Sequence, residues 1–236
     1  MKTEENRKQQ WDASYSNKDN FVWYPNEEVI RFVSAYLKKK TGIKEYKVIK
    51  EANSCLDAGC GIGRHVFFLD DYGFEPYGID LSTNAIEMAK DICLSQGKKH
   101  LINRFTAGSA TSLPYSDSRF DFAVSCSVLD SMDFELACKS VREIARVLKP
   151  EGLFCFDVIA RDARYSGDNV HILNGGGQIA VNEQFEYDTI QSYFDENKIN
   201  RLLDNRFNII SNRLITTEVT GANTVHCRYF LVAEKV

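Results

Sequence analysis

The segment Leu56-Asp57-Ala58-Gly59-Cys60-Gly61-Ile62-Gly63 places three glycines and an acid where an apolar run gives way to a helical pattern. Glycines at such a point let the backbone turn tightly and let a ligand approach with no Cβ in the way. Dinucleotides and adenosyl ligands both use a turn of this kind, and the spacing separates them. A dinucleotide fingerprint is G-x-G-x-x-G; with Gly59 and Gly61 as its first two glycines, the third falls on Arg64. The spacing therefore weighs against a dinucleotide. Further on, Tyr77-Gly78-Ile79-Asp80-Leu81-Ser82 is an apolar run ending in a carboxylate. Asp80 there can accept both hydroxyls of a ribose. The structural alternative for Asp80 is a negative charge ahead of a helix that starts at Ser82.

Positioning these residues takes strands and helices in alternation, and the hydrophobic periodicity supplies them. A strand is predicted at Ser54 to Ala58, a helix from about Arg64 to Tyr72, a strand at Pro76 to Asp80 and a helix from Ser82 to Gln96. Phe105 to Ala107 reads as a short strand, Phe120 to Ser125 as a longer one, Phe134 to Leu148 as a helix stopped by Pro150, and Leu153 to Ile159 as a strand. Strand, helix, strand at this spacing implies a parallel sheet with right-handed crossovers. The alternation then breaks over 160–194, a stretch containing Asn174-Gly175-Gly176-Gly177, and this insertion is the expected substrate lid. A short helix resumes near Asp195. Two β-rich runs, Phe207 to Val219 and His226 to Lys235, flank Thr220-Gly221-Ala222-Asn223 and predict an antiparallel hairpin. Ahead of the alternation, Asn26 caps an amphipathic helix with Val29, Phe32, Val33, Tyr36 and Leu37 on one face, ended by Gly42. The segment Trp11 to Pro25 is aromatic without periodicity. The fold class is α/β, a doubly wound, mostly parallel seven-stranded sheet with an antiparallel C-terminal hairpin.

With 236 residues, 44% hydrophobic and 26% charged, the chain suits one globular domain, in which 1–42 is an N-terminal cap and helix. The formal net charge is -4, and the basic clusters Lys38-Lys39-Lys40 and Lys98-Lys99-His100 are short, reading as solvated helix ends. That argues against nucleic acid as a partner. Seven cysteines, an odd number without a C-x-x-C pair, lie mostly in apolar runs such as Gly152-Leu153-Phe154-Cys155-Phe156. They point to a reducing compartment and against a zinc site or disulfide framework. With no apolar run long enough for a membrane span, no membrane association and a cytoplasmic location are expected.

The order of these segments resembles that of the class I S-adenosylmethionine-dependent methyltransferases. Asp57 to Gly63 is similar to the family's glycine-rich motif, and Asp80 to its ribose-binding acid. Thr106 to Pro114 resembles the adenine-contact segment, with Ser109 where an acid is usual. Phe120 to Cys126 resembles the fourth strand, and Glu143 to Gly152 the helix and turn before the fifth. The resemblance implies S-adenosylmethionine as cofactor and S-adenosylhomocysteine as product. It assigns the cofactor to Asp57, Gly59, Cys60, Gly61, Gly63 and Arg64, to Asp80 and Leu81, to Ser109 and Ala110, and to Ser125 and Cys126. Trp11 and Tyr15 join them from a cap, as in relatives whose N-terminal segment folds over the cofactor; core packing is the alternative for these aromatics.

The implied acceptor is a small molecule bearing a hydroxyl, amine or carboxylate, such as a sugar or secondary metabolite. Asp130, just past the fourth strand, and His171, in the insertion, are the candidates for a catalytic base; the histidine that many small-molecule relatives carry near Asp130 is absent. Two other readings stay open: a catalytically silent S-adenosylmethionine-binding partner, and a nicotinamide-dependent oxidoreductase.

Overall fold

The structure, a computed structural model, describes residues 4–161, 171–173, 178–181, 189–218, 220 and 225–236. Helix α1 (Glu4–Ser16) and helix α2 (Glu27–Phe32), which widens into a π turn over Val33–Leu37, precede the sheet. Five strands then run parallel: β1 (Ser54–Ala58), β2 (Glu75–Asp80), β3 (Phe105–Ala107), β4 (Phe120–Ser125) and β5 (Leu148–Ile159). The final pair, β6 (Phe207–Glu218) and β7 (Val225–Lys235), is antiparallel, and β7 inserts antiparallel beside β5. The order across the sheet is β6-β7-β5-β4-β1-β2-β3. The expected α/β class and the seven-stranded sheet with its C-terminal antiparallel pair are the architecture found.

Alternation along the strands gives the sheet two apolar faces. Cys55, Val124, Leu153 and Cys155 pack against Val29, Phe32, Val33 and Leu37 of the first amphipathic segment and Leu69 of α3 (Arg64–Asp71). Through Val66 and Phe67, α3 continues that layer to Ile86, Ala89 and Cys93 of α4 (Thr83–Ser95). On the other face Leu56, Ala123, Phe154 and Phe156 meet Ala137, Val141 and Ile144 of α5 (Phe134–Val147) and Ile199, Leu202 and Leu203 of α6 (Glu196–Leu203). The helices start where the sequence places caps: Asn26 Oδ1 accepts from Glu28 N at 2.9 Å, Ser82 Oγ from Ala85 N at 3.1 Å, and Asp195 Oδ1 from Lys198 N at 2.8 Å.

Three expectations are corrected. The N-terminal aromatic stretch is not irregular up to the first amphipathic helix, because Glu4–Ser16 is itself helical. The sequence of α1 has no apolar stripe, so periodicity gave no sign of it. The amphipathic helix ends at Leu37 rather than Gly42, and Lys38–Lys40 is a strand paired antiparallel with Tyr46–Val48. Its lysines are not a helix end: Lys38 Nζ donates to Tyr72 O at 2.9 Å and lies 4.6 Å from the Tyr46 ring centre. Likewise Lys98 is paired with Asp70 and Asp71 at 2.6 and 2.5 Å. Within the insertion, His171–Leu173, Gln178–Val181 and Thr189–Ser192 form a small antiparallel sheet, while 162–170, 174–177 and 182–188 of the expected lid lie outside the described residues.

Candidate active site

Strands β1 and β4 are neighbours whose connections leave toward opposite faces, so a crevice opens beyond their carboxyl ends, where doubly wound sheets bind ligands. A cavity of about 210 Å³ lies there. Its wall brings together, from the expected cofactor residues, Trp11, Tyr15, Gly59, Cys60, Gly61, Arg64, Asp80, Leu81, Ser109, Ala110 and Cys126, together with Asp130. Asp57, Gly63 and Ser125 do not line it. Gly63 caps α3 from behind, and Ser125 Oγ donates to Ala58 O at 2.9 Å, tying the ends of β4 and β1 together.

Backbone conformation explains the glycines of the turn. Gly59 has φ +83° and Gly61 φ +53°, a region that costs L side chains energy. A Cβ on Gly59 would meet Val128 Cγ2 at 2.2 Å, and one on Gly61 the Tyr15 hydroxyl at 2.5 Å. The turn is locked to the next strand by Asp80, whose Oδ2 accepts from Gly61 N and Oδ1 from Ser82 N, both at 2.8 Å. A carboxylate offers about four acceptor positions, so two remain for donors from the cavity. Burial pushes the Asp80 carboxyl up to about 6, against the pull of those two N–H groups.

Beneath the turn, Asp57 is fully buried and neither of its oxygens has a hydrogen-bond partner. His65 faces it with Nδ1 at 3.5 Å, while His65 Nε2 accepts the Asn26 backbone N–H at 3.2 Å. That acceptor role leaves the ring proton of the neutral histidine on Nδ1, toward Asp57. A buried carboxylate without donors is costly alone and suits a cationic or N–H ligand group.

Helix α1 closes the cavity from above. Its Asp12 accepts from Ser82 Oγ at 2.7 Å and from Asn84 N at 3.2 Å, and Asn84 Nδ2 donates to Asp12 O at 3.0 Å and Ser16 Oγ at 2.8 Å. The attachment is polar and lies at the positive start of α4. The four N-terminal aromatics divide: Trp11 and Tyr15 line the cavity, Trp23 packs on Phe67 with ring centres 5.9 Å apart, and Tyr24 is 78% exposed. Burial, reinforced by Asp80, drives the Tyr15 phenol well above its ordinary pKa, so it is a neutral hydroxyl at the glycine turn.

Beyond β4 the wall is built on a buried ionic cluster. Asp130 Oδ2 accepts from Ile159 N at 3.0 Å and from Arg228 Nη2 at 2.5 Å. Asp157 accepts from Arg228 Nε at 2.9 Å and from Ser127 N at 2.6 Å. Burial raises the Asp130 carboxyl, with Arg228 opposing it. The backbone of His171 lies in the strand His171–Leu173, and its side chain is outside the description. Sequence reasoning passed over His65, Arg7 and Arg228. Arg228 had a legible sign, a charge inside the apolar run Val225 to Ala233; Arg7 sits in a uniformly polar stretch and had none. Among the described residues no cluster of potential metal ligands occurs, and no helix is long and apolar enough to cross a membrane.

Residues 56–156 match the family model described as "Methyltransferase domain". The chain is 35% identical over 99 residues, 42% of its length, to the uncharacterized methyltransferase YcgJ of Bacillus subtilis, and 30% identical over 130 residues, 54% of its length, to the sterol 4-C-methyltransferase strm-1 of Caenorhabditis elegans. These matches span 38% and 37% of those relatives, so the chain covers under two fifths of either. A SAM-dependent methyltransferase structure from Methanosarcina mazei superposes with a TM-score of 0.65 at 25% identity, covering 79% of this chain and 94% of the other. The antiparallel β7, the glycine turn followed by Arg64 and the partnerless Asp57 carboxylate all fit an adenosyl amino acid, whose ammonium group the buried acid can balance. Residues 56–156 thus resemble a methyltransferase domain, and the sheet they belong to has the fold of a structure described as a SAM-dependent methyltransferase.

Proposed function

We propose that the protein transfers a methyl group from S-adenosylmethionine to a small-molecule acceptor bound in the same cavity, with S-adenosylhomocysteine as product. The observation that carries this reading is the division of the cavity wall. One part holds Gly59, Gly61, Asp80, Ser109 and Ala110; another holds Asp130, Ser131, Met132, Ile159, Gln191 and Arg228, which no cofactor contact requires. When bound, the cofactor supplies a methyl group already activated by a sulfonium. The protein's share is to orient and to exclude water. Asp80 holds the ribose, Asp57 balances the amino group, Gly61 gives room at the turn, and Trp11 and Tyr15 cover the top. Ser109, held 2.8 Å from the Thr111 hydroxyl, supplies a neutral partner at the adenine.

Asp130 acts in this reading as an anchor, since its Oδ2 is engaged by Arg228 and Ile159. His171 is the proposed base for a hydroxyl acceptor, where general base catalysis adds about 10²–10⁴-fold. Calorimetry with adenosylhomocysteine, followed by mass spectrometry of hydroxyl, amine and carboxylate acceptors incubated with S-adenosylmethionine, tests the reading. Binding with methylated product supports it. Tight binding without product across the panel would favour a silent partner, and NADH binding in place of adenosylhomocysteine would restore an oxidoreductase.

A further inference from the structure

Arg7 is 7% exposed and lines the cavity, yet its Nε and Nη1 make no hydrogen bond. Burial lowers its pKa, with Glu4 and Asp133 as the opposing negative charges. Neither carboxylate takes a hydrogen bond from those two nitrogens, and Glu4 receives the Thr111 hydroxyl instead, at 3.5 Å. The other guanidiniums of the wall are committed: Arg228 to Asp130 and Asp157, Arg64 to Tyr24 O at 3.4 Å. A planar guanidinium held away from water with two of its three nitrogens unpaired is a cost that folding alone does not repay, and it has the geometry that recognises carboxylate or phosphate.

The place of Arg7 says which molecule brings the anion. Tyr15, Trp11 and Arg7 follow one another at four-residue spacing, so they share a face of α1 that runs along the cavity. Tyr15 meets the glycine turn at one end. Arg7 lies about 12 Å further along the axis, two helical turns on, near Asp133 beyond β4, while Glu4 of the same helix end receives the Thr111 hydroxyl beyond β3. The amino acid end of the cofactor belongs at the turn and Asp57, and the adenosyl part carries no anion. We propose that Arg7 binds a carboxylate or phosphate on the methyl acceptor, so that the acceptor is an acid or a phosphate ester. The inference rests on the methyltransferase reading of the cavity and names its substrate class.

The test uses the full chain saturated with adenosylhomocysteine, titrated with inorganic phosphate and with acetate, and with acetamide as the neutral control, for wild type, R7Q and R7M. Wild type is expected to bind phosphate or acetate and not acetamide, and both variants are expected to lose that binding at least tenfold. Their adenosylhomocysteine affinity is expected to stay within about threefold of wild type, and their melting temperature to equal or exceed it, because no hydrogen bond at Nε or Nη1 is removed. A wild type that ignores both anions, or variants that bind them unchanged, would overturn the proposal. So would a clear fall in melting temperature in both variants, which would mean that the guanidinium has a structural partner. A tenfold loss of adenosylhomocysteine affinity, absent for its decarboxylated analogue, would assign Arg7 to the cofactor's own carboxylate instead. Failure of wild type to bind adenosylhomocysteine at all is a separate result, and it strikes the methyltransferase reading first.

Discussion

Asp80 couples the site to pH in two opposite senses. Its folded-state value of about 6 lies above the ordinary 3.8, so this group favours the folded empty chain in acid, and the contribution is lost as pH rises through about 6. Ligand binding is expected to run the other way, because in the proposed ribose contact the hydroxyls donate to the ionised carboxylate. Adenosylhomocysteine affinity, measured by calorimetry, is expected to fall about tenfold between pH 7.5 and pH 5 in wild type, and Asp80→Asn is expected to flatten that profile. Asp80→Ala should weaken binding at neutral pH by about 1.5–3 kcal/mol; a loss under tenfold would leave Asp80 only the helix-start role. Asp57 gives a different signature, since its buried carboxyl accepts no hydrogen bond and His65 Nδ1 stays 3.5 Å away. Asp57→Asn is expected to raise the melting temperature while weakening adenosylhomocysteine at least tenfold, the trade expected of a site that keeps a buried polar group unsatisfied for a ligand. A variant that loses stability and keeps its affinity would place Asp57 in the structural frame.

Helix α1 is attached by hydrogen bonds of Asp12 to Ser82 and Asn84 and contributes nothing to the three apolar clusters. Elements held this way open at low cost, and ligand can shift them toward the closed state. Removing residues 1–20 keeps Trp23 on Phe67 and the Asn26 cap, so the melting temperature of the empty protein is expected to change little, while adenosylhomocysteine binding falls steeply. Asp12→Ala should reproduce part of that loss without truncation. The rival expectation, core burial of the aromatics, predicts a loss of about 3–5 kcal/mol for each large side chain removed. A truncated chain that unfolds, or one that keeps its full stabilisation by ligand, would overturn the cap.

At the scale of the molecule, Arg228 on β7 joins Asp157 on β5 and Asp130 in the loop after β4, so one ion cluster ties the C-terminal hairpin to the cavity floor. Arg228→Met leaves two buried carboxylates facing each other, and chemical denaturation is expected to show a loss of about 3–5 kcal/mol at neutral pH. The deficit should shrink in acid, because burial already raises the Asp130 carboxyl and removal of the guanidinium takes away its counterweight. A variant as stable as wild type would show that the cluster contributes specificity alone.

The sequence by itself determined the strands β1 to β5, their helices and the turn between β1 and α3, because each rests on local signals: apolar periodicity, capping residues such as Ser82 and Asp195, and glycines at positive φ. The motif order, together with Arg64 in the place of a third glycine, separated an adenosyl site from a dinucleotide site on the same kind of sheet. Tertiary structure decided what has no local signature. Helix α1 has no apolar stripe and is specified by donors at the start of α4, Ser82 Oγ and the Asn84 N–H groups, so its sequence looked aperiodic. Gly63 and Ser125 shared a motif with cavity residues yet fell behind the wall, because Gly63 is taken up as the cap of α3 and the Ser125 hydroxyl turns to Ala58 O. The pairing of Asp130 with Arg228 joins residues far apart in the chain, and only folding shows that one of them is anchored rather than free. Arg7 is the extreme case. In the chain it is one charge among many in a polar stretch; in the fold it is a buried cation facing a cavity, and burial, which makes its missing partner matter, is a property of the packed molecule alone.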